Sequence, residues 1–149
     1  PFDDDTIISV EYNLLNSNYS NVVSCGKKGY AFFVAGHAYG TPGQDDGLHQ
    51  PFLDYLNNQV VTNACSFGIF TGDFVVNGAK EAYYEQFFEQ LKFLNMPVFA
   101  APGNHDEAGS GNNYFIQYFG AKYSSFVKDQ SLFIFLDPDG ITELFSPNS

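Results

Sequence analysis

Residues Gly103-Asn104-His105-Asp106 set an amide, an imidazole and a carboxylate in consecutive positions after a glycine. Gly72-Asp73 offers a second carboxylate after a glycine, and Gly36-His37 a second imidazole. An Asp, an Asn and two His are hard and borderline donors, suited to Mn, Fe or Zn rather than to a soft thiolate metal. Two such ions about 3.5–4 Å apart can share a carboxylate, polarise a phosphoryl oxygen and activate water near neutral pH. Asp73 is the natural shared ligand, and Asn104 would add a neutral carbonyl oxygen. His105 would be free to act as acid on a leaving oxygen.

Each residue also has a plainer reading. Asp73 can be a turn residue or the N-cap of the helix that follows. Asn104 can be a turn residue tolerant of a left-handed backbone. His105 can be a hydrogen-bonded loop histidine. For these three the pairing of the two stretches favours chemistry. Asp106 is expected to support His105 or to cap the next turn. His37 is balanced between ligand and structural histidine. Tyr39 is more doubtful, because most of the ten tyrosines must be ordinary packing. His49 reads as a surface residue, and Asn77 and Gly78 as shapers of a turn.

The elements that position these residues follow from patterning. YAFFVAG (30–36) and FGIFTGD (67–73) are short apolar runs halted at glycine, expected as buried strands. MPVFAAPGNHD (96–106) is a third strand running into the quartet. Residues 48–63 carry apolar positions near helical spacing. Residues 78–95 form the clearest helix, with Tyr84, Phe87, Phe88, Leu91 and Leu94 on one stripe. NYFIQYFG (113–120) predicts a short helix. YSSFV (123–127) and SLFIFLD (131–137) predict a hairpin with VKDQS as its connection. Residues 1–29 read as an extension, with a strand at Ile7–Tyr12, before a domain over 30–149. Strands alternating with helices imply a parallel α/β sheet with right-handed crossovers. In such sheets ligands sit outside the carboxyl ends of the strands. The loops GHAYG, GDFVVNG and GNHD would then meet on one edge.

At this point GDFVVNG (72–78) and GNHD (103–106), each after a buried strand, resemble the calcineurin-like metallophosphoesterases. Tyr118-Phe119-Gly120, Tyr123-Ser124-Ser125-Phe126 and Phe133-Ile134-Phe135-Leu136-Asp137 are similar to the stretch that follows GNH[DE] in that family. The resemblance covers residues 30–139. It implies a β-sandwich flanked by helices, four layers deep in the order α/β/β/α, and incomplete here at its C-terminal end. It implies two divalent or trivalent metal ions, Mn, Fe or Zn. Asp73, Asn104, His37 and Tyr39 would serve as metal ligands, and His105 with Asp73 as catalytic groups. Gly72, Gly103 and Asp106 would support them. The family's first motif, DxHG, is matched by His37-Ala38-Tyr39-Gly40, so His37 stands in the Asp position and Tyr39 in the His position. The family's later His and GHxH would lie beyond Ser149, making this chain an N-terminal portion.

Composition bounds the rest. The chain of 149 residues is 44% hydrophobic and 18% aromatic, enough for one domain with a real core. No apolar run is long enough for a membrane span, and no signal peptide is expected from the first residues. The net charge is −11 and all six basic residues are lysines. Such a chain is a poor general binder of nucleic acid or anionic membranes, and it lacks the arginine forks that clamp phosphate. Cys25 and Cys65 could form one disulfide or be two buried thiols. The function expected is hydrolysis of a phosphate mono- or diester. The rival is a degenerate member acting as a binding or scaffold module. A flavodoxin-like domain would explain the β-α-β order but not the two glycine motifs.

Overall fold

In a computed structural model, residues 29–41, 43, 46–57 and 65–138 are described. The expected strand at Ile7–Tyr12, Cys25, the end of the 48–63 helix and the residues after Pro138 lie outside them. The order is β1 (Ala31–Ala35), α1 (Gln50–Leu56), β2 (Cys65–Phe70), α2 (Glu81–Gln90), β3 (Val98–Ala100), α3 (Asn104–Glu107), α4 (Gly111–Phe119), β4 (Ser124–Lys128) and β5 (Ser131–Phe135). Strands β1, β2 and β3 form a parallel sheet in that order, and β4 and β5 form a separate antiparallel pair. This is a mixed α/β fold, as the alternation of strands and helices predicts.

Register explains how two apolar faces are served by one sheet. Phe33 pairs with Gly68 and Ala35 with Phe70, while Gly68 meets Val98 and Phe70 meets Ala100. Alternation puts Phe33, Ala35, Phe70, Val98 and Ala100 on one face. They pack with Leu53 and Leu56 of α1, Tyr84 and Phe87 of α2, and Phe115 of α4. Both crossovers step the same way across the sheet, so right-handed connections put both helices on that face. The opposite face carries Phe67, Ile69 and Phe99 and packs on Phe126, Phe133 and Phe135 of the hairpin. Phe99 stacks on Phe126 at 4.1 Å, and Phe67 meets Phe133 edge-on at 5.2 Å. Aromatic pairs of this kind add about 0.5–1.5 kcal/mol each beyond their buried area. The outward face of the hairpin is also apolar, with Val127, Leu132 and Ile134 all more than 60% exposed.

Element boundaries differ from the sequence expectation for local reasons. The helix expected from residue 78 begins at Glu81, because Asn77 accepts the Ala79 N–H at 2.9 Å and Lys80 is extended. Such a side-chain turn competes with helical bonding. β3 is only three residues long, and the quartet after it winds into the single turn of α3. The hairpin closes through Asp129 and Gln130 alone, with Lys128 paired to Ser131 and Asp129 at φ 52°. The longer VKDQS connection is thus absorbed into the strands. His49 is exposed ahead of α1, and Cys65 opens β2 half-buried. Among the described residues no helix is long and apolar enough to cross a membrane.

Candidate metal and phosphoester site

The parallel sheet delivers all three loops to one edge, and their backbones interlock there. The His37 N–H donates to the Gly72 carbonyl at 3.0 Å and the Ala38 N–H to the Asp73 carbonyl at 2.8 Å. The β2 and β3 loops cross closely at their glycines. A Cβ on Gly72 would lie 2.9 Å from the Gly103 Cα, and one on Gly103 would collide with the Asp73 carboxylate. Gly72 also has a φ of 101°. The two motif glycines are therefore required by close approach, and for Gly72 by conformation as well.

The structure brings His37, Tyr39, Asp73 and His105 together at this crossing. The His37 Nδ1–H donates to Asp73 Oδ2 at 3.1 Å, and the His105 backbone N–H donates to Asp73 Oδ1 at 3.2 Å. His105 Nδ1 lies 2.9 Å from the Val76 carbonyl. A carbonyl can only accept, so Nδ1 carries the proton and Nε2 is the nitrogen left to exchange one. The Tyr39 hydroxyl donates to that Nε2 at 3.4 Å. Burial, followed by the charges of Asp73 and Asp106, raises the Tyr39 pKa and keeps it a phenol. The His37 and His105 rings stand 6.2 Å apart, with the Tyr39 ring tilted against each at 4.6 and 5.0 Å. Asn104, at the first position of α3, is exposed on the same turn.

Asp106 has a different task from Asp73. Its carboxylate is fully buried. Oδ2 accepts the N–H groups of Gly103 and Asp73, both at 2.7 Å, and Oδ1 those of Phe74 and Val75, both at 3.0 Å. One side chain thereby pins the β2 loop to the start of α3. The bond to Gly103 is the return arm of a helix cap. Burial pushes its pKa up to about 6 against the opposing pull of those four donors. The Tyr84 hydroxyl donates to the Asp106 carbonyl at 2.7 Å, and burial raises the Tyr84 pKa.

By donor type the rim fits a divalent metal, with a carboxylate at Asp73, an amide at Asn104 and an imidazole at His37. Among the described residues no group of three or more His, Cys, Asp or Glu is assembled for a metal. Sequence reasoning missed the Val76 carbonyl, because a backbone acceptor leaves no trace in residue identity. It also missed Lys122, which binds Glu107 and Asp137 beyond α3. Its signal was available: a lone cation in an aromatic stretch of a lysine-poor chain.

Fifty residues, 34% of the chain, are 44% identical to a probable glycerophosphodiester phosphodiesterase, GpdQ, of Arcobacter nitrofigilis. The match spans 18% of that relative's length. No solved structure matches the chain. Residues 37–146 match the family model described as calcineurin-like phosphoesterase, a range that takes in His37, Asp73 and the GNHD quartet. The chain belongs to the calcineurin-like phosphoesterase family.

Proposed function

We propose that the protein is a metal-dependent phosphoesterase that hydrolyses a phosphate mono- or diester at the edge formed by the β1, β2 and β3 loops. The observation carrying this reading is the contact of Asp73 with His37 at 3.1 Å and with the His105 backbone at 3.2 Å. The named relative points to a diester as the first substrate to try. Family members use divalent metals. In this reading Asp73, Asn104, His37 and Tyr39 face two ions, Mn, Fe or Zn. When bound, these supply Lewis-acid polarisation of the phosphoryl group and activation of water.

The chain's own residues do the rest. Asp73 is held by the crossing of two glycines, so its carboxylate is oriented before any ligand arrives. His105, fixed at Nδ1 by Val76, presents Nε2, which must first take up a proton to form the imidazolium and then gives that proton to the leaving oxygen. Asp106 keeps the two loops in register without touching substrate. The domain is assigned to residues 30–149, after an extension over 1–29. A fourth layer, completing the α/β/β/α order, would cover the apolar outer face of the hairpin, where Leu132 and Ile134 stand exposed.

The test is Mn²⁺-stimulated hydrolysis of bis-p-nitrophenyl phosphate and p-nitrophenyl phosphate by the full-length protein. Asp73→Asn should lower turnover by at least about 100-fold, the upper range for outer partners of a metal site. Unchanged turnover would remove Asp73 from the site. A second reading, a degenerate binding module, is favoured by the imidazole of His37 occupying one oxygen of Asp73. It predicts no turnover by the unaltered full-length protein with any of the three metals.

A further inference from the structure

α3 is a single turn, too short to persist on its own hydrogen bonds. It nonetheless carries both Asn104 and His105. From the helix-covered side it is held by the Asp106 carboxylate and by Tyr84. From the hairpin side it is held by Lys122. The Lys122 ammonium lies 2.5 Å from Glu107 Oε1 and 2.6 Å from Asp137 Oδ2. Glu107 is the last residue of α3, and Lys122 lies in the connection from α4 to β4. Asp137 follows β5, and its side chain is 1% exposed while those of Glu107 and Lys122 are 13% and 21% exposed. The Tyr123 hydroxyl adds a bond to the Asp137 carbonyl at 3.4 Å. Burial alone would lower the Lys122 pKa, but hydrogen bonds to Asp137 and Glu107 outweigh it and leave a firm cation.

We propose that Lys122 is a positioning residue that, bridging Glu107 and Asp137, ties the hairpin to the turn bearing Asn104 and His105 and so sets where those two side chains stand. A half-buried cation between two carboxylates is a poor stabiliser compared with apolar packing, because desolvation offsets much of the attraction. What it does supply is a fixed geometry. The entry and exit of the hairpin layer both meet α3 at one ammonium group, so a shift of that layer moves α3. The consequence for metal binding rests on the phosphoesterase reading above; the mechanical coupling does not.

Hydrogen exchange of the intact protein separates the two. Lys122→Met should speed exchange of the 104–107 amides by at least tenfold relative to a control, Leu53→Ala in α1, studied at a temperature giving equal global stability. Lys122→Arg should restore most of the protection. Glu107→Gln, which keeps the shape of the side chain, should reproduce the loss and serves if Lys122→Met fails to fold. Equal protection of 104–107 in the Lys122 or Glu107 variants and in the Leu53 control would overturn the proposal. Mn²⁺ affinity, measured by calorimetry, should fall about 10–100-fold in Lys122→Met and stay unchanged in the Leu53 control. Absence of Mn²⁺ binding in the unaltered protein, with 104–107 still loosened by Lys122→Met, would refute the phosphoesterase reading and leave the coupling in place.

Discussion

The β1 loop and the paired β2 and β3 loops reach the same edge by different means. The β2 and β3 loops are locked by a buried carboxylate that takes four backbone donors, and by two glycines that leave no room between them. The β1 loop is hung from them by backbone bonds from His37 and Ala38, with His37 itself exposed. The locked pair carries GDFVVNG and GNHD intact. The hung loop carries the departures, His37 and Tyr39. A side chain can be exchanged where backbone bonds alone hold the loop, because its replacement leaves those bonds in place. The same change at Asp73 or Asp106 would disturb the crossing itself.

Three variants sharpen or break that contrast, from the largest expected effect to the smallest. His105→Gln should lower kcat by about 10²–10⁴-fold, the range for a lost general acid. Mn²⁺ content, measured by elemental analysis, should be retained. A kcat within a few-fold of the original would mean that the locked pair supplies no acid. Asp106→Ala should cost at least about 3 kcal/mol of stability, since four backbone donors, two of them buried and two half-buried, lose a charged acceptor. Denaturant unfolding would read it, and a loss below about 1 kcal/mol would show that the lock is not what holds the loops. His37→Ala should weaken Mn²⁺ binding about tenfold, at the low end for a metal-site partner, with almost no change in stability. A stability loss rivalling that of Asp106→Ala would erase the distinction between the loops.

Much of this was readable from residue types. The strands halted ahead of Gly36 and Gly72, the Tyr84–Phe87 stripe and the convergence of three loops all follow from period and punctuation. The family motifs marked Asp73, Asn104 and His105. Other features depend on contacts between segments far apart in the chain. Nothing local says that Asp106 turns inward to four amides rather than toward His105, or that Val76 offers its carbonyl. The partnership of Lys122 with Glu107 and Asp137 needs the hairpin folded onto the sheet before it exists. The hairpin turn was misjudged because VKDQS looks like a connection, whereas its outer residues continue the ladder.

Both His37 and Asp73 sit in the left-handed region, at φ 52° and 54°. Histidine and aspartate are among the residue types that enter that region more readily than most, yet each such corner still costs on the order of 1 kcal/mol or more. Glycine would occupy either corner without that cost but would bring no donor. At these two positions the backbone alone would favour glycine, whereas the proposed site calls for a side-chain donor.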